Sequence, residues 1–125
     1  MGLLFIYYPR CGTCRKAKAW LDEHELTYQE RHIVNEPPTA RELTEWVARS
    51  GLEWTKFMNT SGRAYREMGL AEKRASMSPE ELAEILASDG MLVKRPILVL
   101  DDGRVLTGFR EGEWKQALLG EGAAV

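Results

Sequence analysis

Cysteine is scarce in this 125-residue chain: there are two, at positions 11 and 14. So few cannot make a framework of structural disulfides, which leaves the hydrophobic core to hold the fold and frees the pair for reactivity in a reducing compartment. Long apolar runs are missing as well. None approaches the roughly 20 residues needed to cross a bilayer, and Met1–Ile6 lacks the basic region and long apolar stretch of a signal peptide and reads as a strand. Neither sign of charge dominates: the net charge of −2 gives no general attraction to nucleic acid or to an anionic membrane. The basic residues Arg10, Arg15, Lys16 and Lys18 are interrupted by acids nearby and read as a solvated face. Internal repeats and low-complexity segments are absent. What remains is 44% hydrophobic and 29% charged, the balance of an ordinary globular protein. The expectation is one cytoplasmic domain over residues 1–125, in direct contact with neither nucleic acid nor membrane.

Leu3 to Tyr8 is continuously apolar and aromatic, as a buried strand is, and Pro9 and Gly12 punctuate it. From Thr13 or Cys14 to about His24, Ala17, Trp20 and Leu21 recur at helical spacing. A second strand is predicted over Tyr28 to Ile33, ended by Asn35-Glu36-Pro37-Pro38. Thr39 with Glu42 is a capping box that opens a helix bearing Leu43, Trp46 and Val47, and Gly51 suits its left-handed C-cap. Residues 52–76 read as short helical pieces and loops, broken at Asn59-Thr60-Ser61-Gly62 and at Gly69. Ser78 and Glu81 form a second capping box, with Pro79 at the first helical position. That helix carries Leu82, Ile85 and Leu86 to about Asp89-Gly90. Ile97 to Leu100 and Val105 to Gly108 form a hairpin around Asp101-Asp102-Gly103. A last helix follows over about Glu113 to Leu119, then a loose tail over about 120–125. A helix between the first two strands makes them parallel, and the hairpin adds antiparallel strands. The predicted class is α/β: a thioredoxin-like four-stranded mixed sheet, β-α-β then β-β-α, with a helical insertion over about 39–88 between the second and third strands.

The chemistry concentrates in Cys11-Gly12-Thr13-Cys14, where a strand hands over to a helix. The free N–H groups and positive dipole end of a helix N-terminus stabilise a thiolate, and Arg10 and Arg15 lie nearby in sequence, so Cys11 is the expected nucleophile. Gly12 keeps the backbone open to a ligand and Thr13 offers a hydroxyl. Cys14, one turn on, is the expected resolving thiol. Burial of both as small hydrophobes is the plain alternative. A zinc site completed by His24 and His32 has the wrong histidine spacing, so no metal is expected. Lys94-Arg95-Pro96 precedes the third strand. Pro96 there is a candidate for a cis peptide that sets the backbone beside the thiol, and Arg95 would reach Cys11 with a fork suited to an oxyanion. Arg110 is a weaker case of the same kind; alone it reads as a surface residue pairing with Glu113. The four tryptophans read as core or half-buried anchors.

Three motifs in order, Tyr7-Tyr8-Pro9-Arg10-Cys11-Gly12-Thr13-Cys14-Arg15-Lys16-Ala17, then Asn59-Thr60-Ser61-Gly62 with Tyr65-Arg66-Glu67-Met68-Gly69-Leu70, then Asp89 to Ile97 around Lys94-Arg95-Pro96, resemble the ArsC/Spx family. The resemblance extends to about residue 118 and is nearest to small arsenate-reductase-like proteins with a Cys-Gly-Thr-Cys centre. It implies a thioredoxin-like fold with a helical insertion. In the family's arsenate reductases, the cysteine matching Cys11 attacks arsenate, glutathione joins the adduct, and glutaredoxin resolves it. Three arginines hold the oxyanion, of which two match Arg95 and Arg110, while the third position holds Asn59. Losing one of three charge-assisted contacts is worth roughly 1.5–3 kcal/mol, or about one to two powers of ten in affinity. Cys14 stands where those reductases carry serine, and it offers an internal disulfide.

Two functions follow as expectations. One is an ArsC-like thiol oxidoreductase, with Cys11 attacking an arsenate-like oxyanion or a disulfide and Cys14 resolving. In this reading Gly12, Thr13, Asn59, Arg95, Pro96 and Arg110 surround the anion. It binds no resident cofactor, glutathione serves as co-substrate, and glutaredoxin or thioredoxin donates electrons. The other is a redox-sensing regulator of the Spx kind, in which a Cys11–Cys14 disulfide changes how the protein meets RNA polymerase. Spx proteins carry Thr-Ser where this chain has Gly12-Thr13, and they share the arginine matching Arg95.

Overall fold

In the computed structural model of the chain, which describes residues 2–120, four strands form one sheet in the order β2-β1-β3-β4. Strand β1 is Leu3–Tyr7 and β2 is Tyr28–His32, joined in parallel by helix α1, Gly12–Glu23. Strand β3, Ile97–Val99, runs antiparallel to β1, and β4, Val105–Thr107, antiparallel to β3. Between β2 and β3 lie α2 (Ala40–Ser50), α3 (Arg63–Glu67), α4 (Leu70–Lys73) and α5 (Pro79–Ser88), with 3₁₀ turns at Trp54–Phe57, Arg74–Ser76 and Gly90–Leu92. Helix α6, Glu111–Leu119, closes the described chain. This is the thioredoxin-like sheet with its helical insertion. Residues 121–125 of the expected tail lie outside the described residues. No helix among the described residues is long and apolar enough to cross a membrane.

Alternation along the strands divides the core in two. Phe5 and Leu98 face one side of the sheet, packed with Ala17, Trp20 and Leu21 of α1 and Trp114 of α6. Ile6 and Ile97 face the other, beneath Leu43, Trp46 and Val47 of α2, Leu82 and Leu86 of α5, and Phe57 and Tyr65 of the insertion. Trp114 is fully buried, stands edge-on to Phe5, Trp20 and Phe109, and donates its indole N–H to the Gly108 carbonyl at 3.2 Å, which ties α6 to the end of β4. Trp54 is only half-buried, packed at the margin of the second core.

The helix signals operate as their chemistry requires. Thr39 Oγ1 accepts from the Glu42 N–H while the Glu42 carboxylate accepts from the Thr39 N–H, and Ser78 and Glu81 repeat the arrangement ahead of α5. Gly51 ends α2 at φ 70°, the left-handed conformation that glycine adopts without a Cβ penalty. Helix α6 starts two residues earlier than the apolar pattern suggests, because Glu111 and Gly112 form its polar first turn, with Arg110 as N-cap.

The insertion is attached to the sheet by a feature with no sequence pattern. Met58 bridges Val93 in antiparallel fashion; Lys94 N–H donates to the Phe57 carbonyl at 2.9 Å, and Asn59 N–H to the Leu92 carbonyl at 2.8 Å. This short ladder ends one residue before Arg95 and so sets the insertion against the segment that carries that arginine.

Candidate active site

Cys11 is the N-cap of α1, with extended backbone, and its Sγ accepts from the Cys14 N–H at 3.3 Å. Burial raises its proton affinity, but hydrogen bonds from the Cys14 side chain and backbone, the Arg95 charge and the Thr13 N–H outweigh it, so the thiol ionises below its ordinary value. Cys14 points inward and is 1% exposed. Burial chiefly pushes its pKa to about 12, against lowering by the Tyr8 backbone hydrogen bond; its hydrogen bond to Cys11 and the Cys11 charge add to the rise, and Arg95 opposes it least. One thiol is therefore exposed enough to react and readily ionised; the other is enclosed and protonated. Both are free. A Cβ placed on Gly12 would meet nothing within 4 Å, so glycine leaves the surface over the thiol turn open.

The Arg95 side chain lies over the Tyr8 ring at 5.1 Å, a cation–π contact that holds it toward the strand end from which the thiol turn springs. Its backbone hydrogen bond is long, Nη1 to the Val93 carbonyl at 3.5 Å, and its Nε is buried without a partner among the described residues. The Arg95–Pro96 peptide is cis, as the sequence suggests, and the Pro96 carbonyl accepts from Gly108 N–H at 2.8 Å, linking it to the Gly108–Arg110 segment.

Thr13, Arg95 and Arg110 line one cleft of about 680 Å³ between the thiol turn and the insertion. Arg110 forms no ion pair with Glu113 among the described residues and borders the cleft instead. Three further cations border it, Lys56, Arg74 and Lys94, and no carboxylate among the described residues does. Lys94 belongs to the Lys94-Arg95-Pro96 segment, whereas sequence reading misses Lys56 and Arg74, which come from separate 3₁₀ turns and share no motif. Asn59 stands elsewhere: its amide donates to the Met91 carbonyl at 3.2 Å, and it borders a smaller cavity of about 310 Å³ with Gly62, Arg63 and Arg95. Arg63 is taken up by Glu67 at 2.9 Å. The histidines have other contacts. His24 lies on Trp20 with ring centroids 4.2 Å apart. His32 Nδ1 accepts from the N–H groups of Val34 and Asn35 at 3.1 and 3.2 Å.

A model of the ArsC family matches residues 6–117. The uncharacterized protein YusI of Bacillus subtilis (strain 168) is 51% identical over 116 residues, which cover 93% of this chain and 98% of that protein. The global transcriptional regulator Spx of Listeria innocua is 30% identical over 110 residues, covering 88% of this chain and 82% of the regulator. The crystal structure of an ArsC family related protein from Bacteroides fragilis matches with a TM-score of 0.88 at 46% identity, over 93% of this chain and 97% of that one.

Proposed function

The chain belongs to the ArsC family, and from that membership we propose that it is a thiol oxidoreductase in which Cys11 attacks and Cys14 resolves. The observation that carries this reading is the unequal pair: a readily ionised thiol at a helix N-cap, hydrogen-bonded to the residue that bears a buried, protonated one. With a disulfide substrate, the Cys11 thiolate attacks one sulfur, the substrate S–S bond breaks, and one substrate thiolate leaves. Cys14 then loses its proton and attacks Cys11 Sγ, releasing the second thiolate and leaving a Cys11–Cys14 disulfide. With arsenate, Cys11 displaces hydroxide, which leaves as water. Attack by Cys14 on Cys11 Sγ then breaks the S–As bond, whose electron pair reduces arsenic to arsenite. In both cases an external thiol, glutathione with glutaredoxin or thioredoxin, returns the protein disulfide to two thiols.

The order of the steps is built into the site. Part of what holds Cys14 protonated is the neighbouring Cys11 charge and the hydrogen bond to it. Once Cys11 is bonded to substrate that charge is gone, which lowers the proton affinity of Cys14 in part, while burial, the larger cause, continues to raise it. Arg95 and Arg110 orient the anionic group of the substrate from the cleft.

The test is NADPH-coupled reduction of arsenate and of a mixed disulfide, with glutathione and glutaredoxin or with thioredoxin. Wild-type turnover is expected to vanish in Cys11→Ser and to fall at least tenfold in Cys14→Ser, where the adduct accumulates. Absence of turnover on either substrate would sink the enzyme reading. A second reading, a Cys11–Cys14 switch that alters contact with RNA polymerase, is favoured by the Spx relative. It calls for no turnover, together with polymerase binding that differs between the oxidised and reduced protein.

A further inference from the structure

Arg95 and Arg110 have a role in the chemistry above; the insertion side of the same cleft does not. Lys56 lies in the 3₁₀ turn after α2, and Arg74 starts the one after α4. They reach the cleft from the insertion, while Arg95 and Arg110 reach it from the sheet. Elsewhere Arg31, Arg49, Arg63 and Arg104 each hold a carboxylate. Among the described residues, none of the cleft cations does so and no carboxylate lines the cleft. Among the described residues, carboxylates near these five cations lie in adjoining cavities, Glu113 beside Lys56 and Arg110 and Glu67 and Asp89 beside Arg95, and none forms an ion pair with them or enters the cleft lining. That arrangement favours an anionic occupant.

The volume of about 680 Å³ suits a small organic molecule and far exceeds a single tetrahedral oxyanion. We propose that Lys56 and Arg74 form a second anion subsite, so that the cleft selects a low-molecular-weight disulfide bearing an acid group on each side of the sulfurs. One acid group pairs with Arg95 and Arg110, the other with Lys56 and Arg74; Cys11 is not on the lining, and the S–S bond reaches it past Thr13, the residue of the thiol turn that borders the cleft. Thr55 and Thr60, on the same lining, add hydroxyl donors beside the second subsite. The assignment rests on Cys11 being the nucleophile proposed above. The step itself is exchange: the Cys11–S bond to one half of the disulfide forms as the original S–S bond breaks, and the other half leaves as a thiolate.

The probes are dithiodipropionate, hydroxyethyl disulfide and cystamine, similar chains ending in carboxylate, hydroxyl and ammonium. Formation of the Cys11 adduct is followed by mass spectrometry in the Cys14→Ser protein, which retains it. Dithiodipropionate is expected to react at least tenfold faster than hydroxyethyl disulfide, with cystamine slowest. Adding Lys56→Gln and Arg74→Gln should reduce the acidic-to-neutral ratio about tenfold. Arg41→Gln, an exposed charge outside the cleft, should leave the ratio intact. A ratio near one, or one insensitive to the paired substitution, overturns the subsite. If Cys11 reacts with none of the three, the disulfide branch of the oxidoreductase reading fails. The subsite is then decided by equilibrium binding of dithiodipropionate to the Cys11→Ser, Cys14→Ser protein. Roughly tenfold weaker binding with Arg74→Gln sustains it, and equal binding rejects it.

Discussion

Two cysteines three positions apart have opposite proton affinities because the helix start treats them differently. Cys11, as N-cap, receives N–H donors and the Arg95 charge, whereas Cys14 has turned into the core, where burial dominates. Glycines at two positions matter for different reasons. Gly12 faces open space, so its role is access. Gly90 is buried against the backbone of Ile33, and a Cβ there would overlap the Ile33 carbonyl. Overpacking against backbone cannot be relieved by a rotamer change, so Gly90→Ala is expected to cost about 1–3 kcal/mol. Urea denaturation checks this: a lower midpoint at unchanged slope is expected, and an unchanged midpoint would show that the 3₁₀ turn moves aside freely.

At the scale of elements, β2 and α2 are joined by one charged fork. Arg31 donates from Nη1 and Nη2 to the Glu42 carboxylate at 2.8 and 2.7 Å, and from Nε and Nη2 to the carbonyls of Glu36 and Pro37. The same carboxylate caps α2 through the Thr39 N–H at 2.9 Å. The Arg31 hydrogen bond, then the Thr39 backbone hydrogen bond and the Arg31 charge, outweigh burial and hold Glu42 below its ordinary value. A carboxylate depressed in the native state stabilises the fold above its unfolded value, about 4.3, and that contribution disappears as pH falls through the lower native value. Glu42→Gln is therefore expected to cost about 1.5–3 kcal/mol at neutral pH and progressively less in acid. Denaturation of both proteins across that range tests it; a constant difference would mean the charge contributes nothing.

The capping boxes at Thr39 and Ser78, the left-handed Gly51 and the order of strands are all legible in the sequence, because each depends on residues within a few positions of one another. The placement of Cys11 near a helix start and cis Pro96 are legible for the same reason, although the helix begins at Gly12, ahead of the Thr13 or Cys14 that the apolar pattern suggests. The Phe57–Asn59 ladder to Leu92–Lys94, the close contact at Gly90, and the arrival of Lys56, Arg74 and Lys94 at one cleft are not. These arise only when the insertion docks on the sheet, and chain-local patterns carry no record of that. Asn59 shows the same limit: matching it to an oxyanion-binding position is a statement about alignment, while its amide is committed to the Met91 carbonyl.

Over the whole molecule, the sheet presents a reactive thiol at one helix start, and the insertion completes a cationic cleft next to it. The central claim is the inequality of the two thiols, on which both the enzyme and the switch readings depend. The most direct measurement is alkylation of the reduced native protein by iodoacetamide across pH, with each cysteine quantified by mass spectrometry. Cys11 should be modified with a midpoint below that of a cysteine in the urea-unfolded protein, while Cys14 stays unmodified at neutral pH. Equal modification of both cysteines, or a Cys11 midpoint at or above that value, would contradict the account.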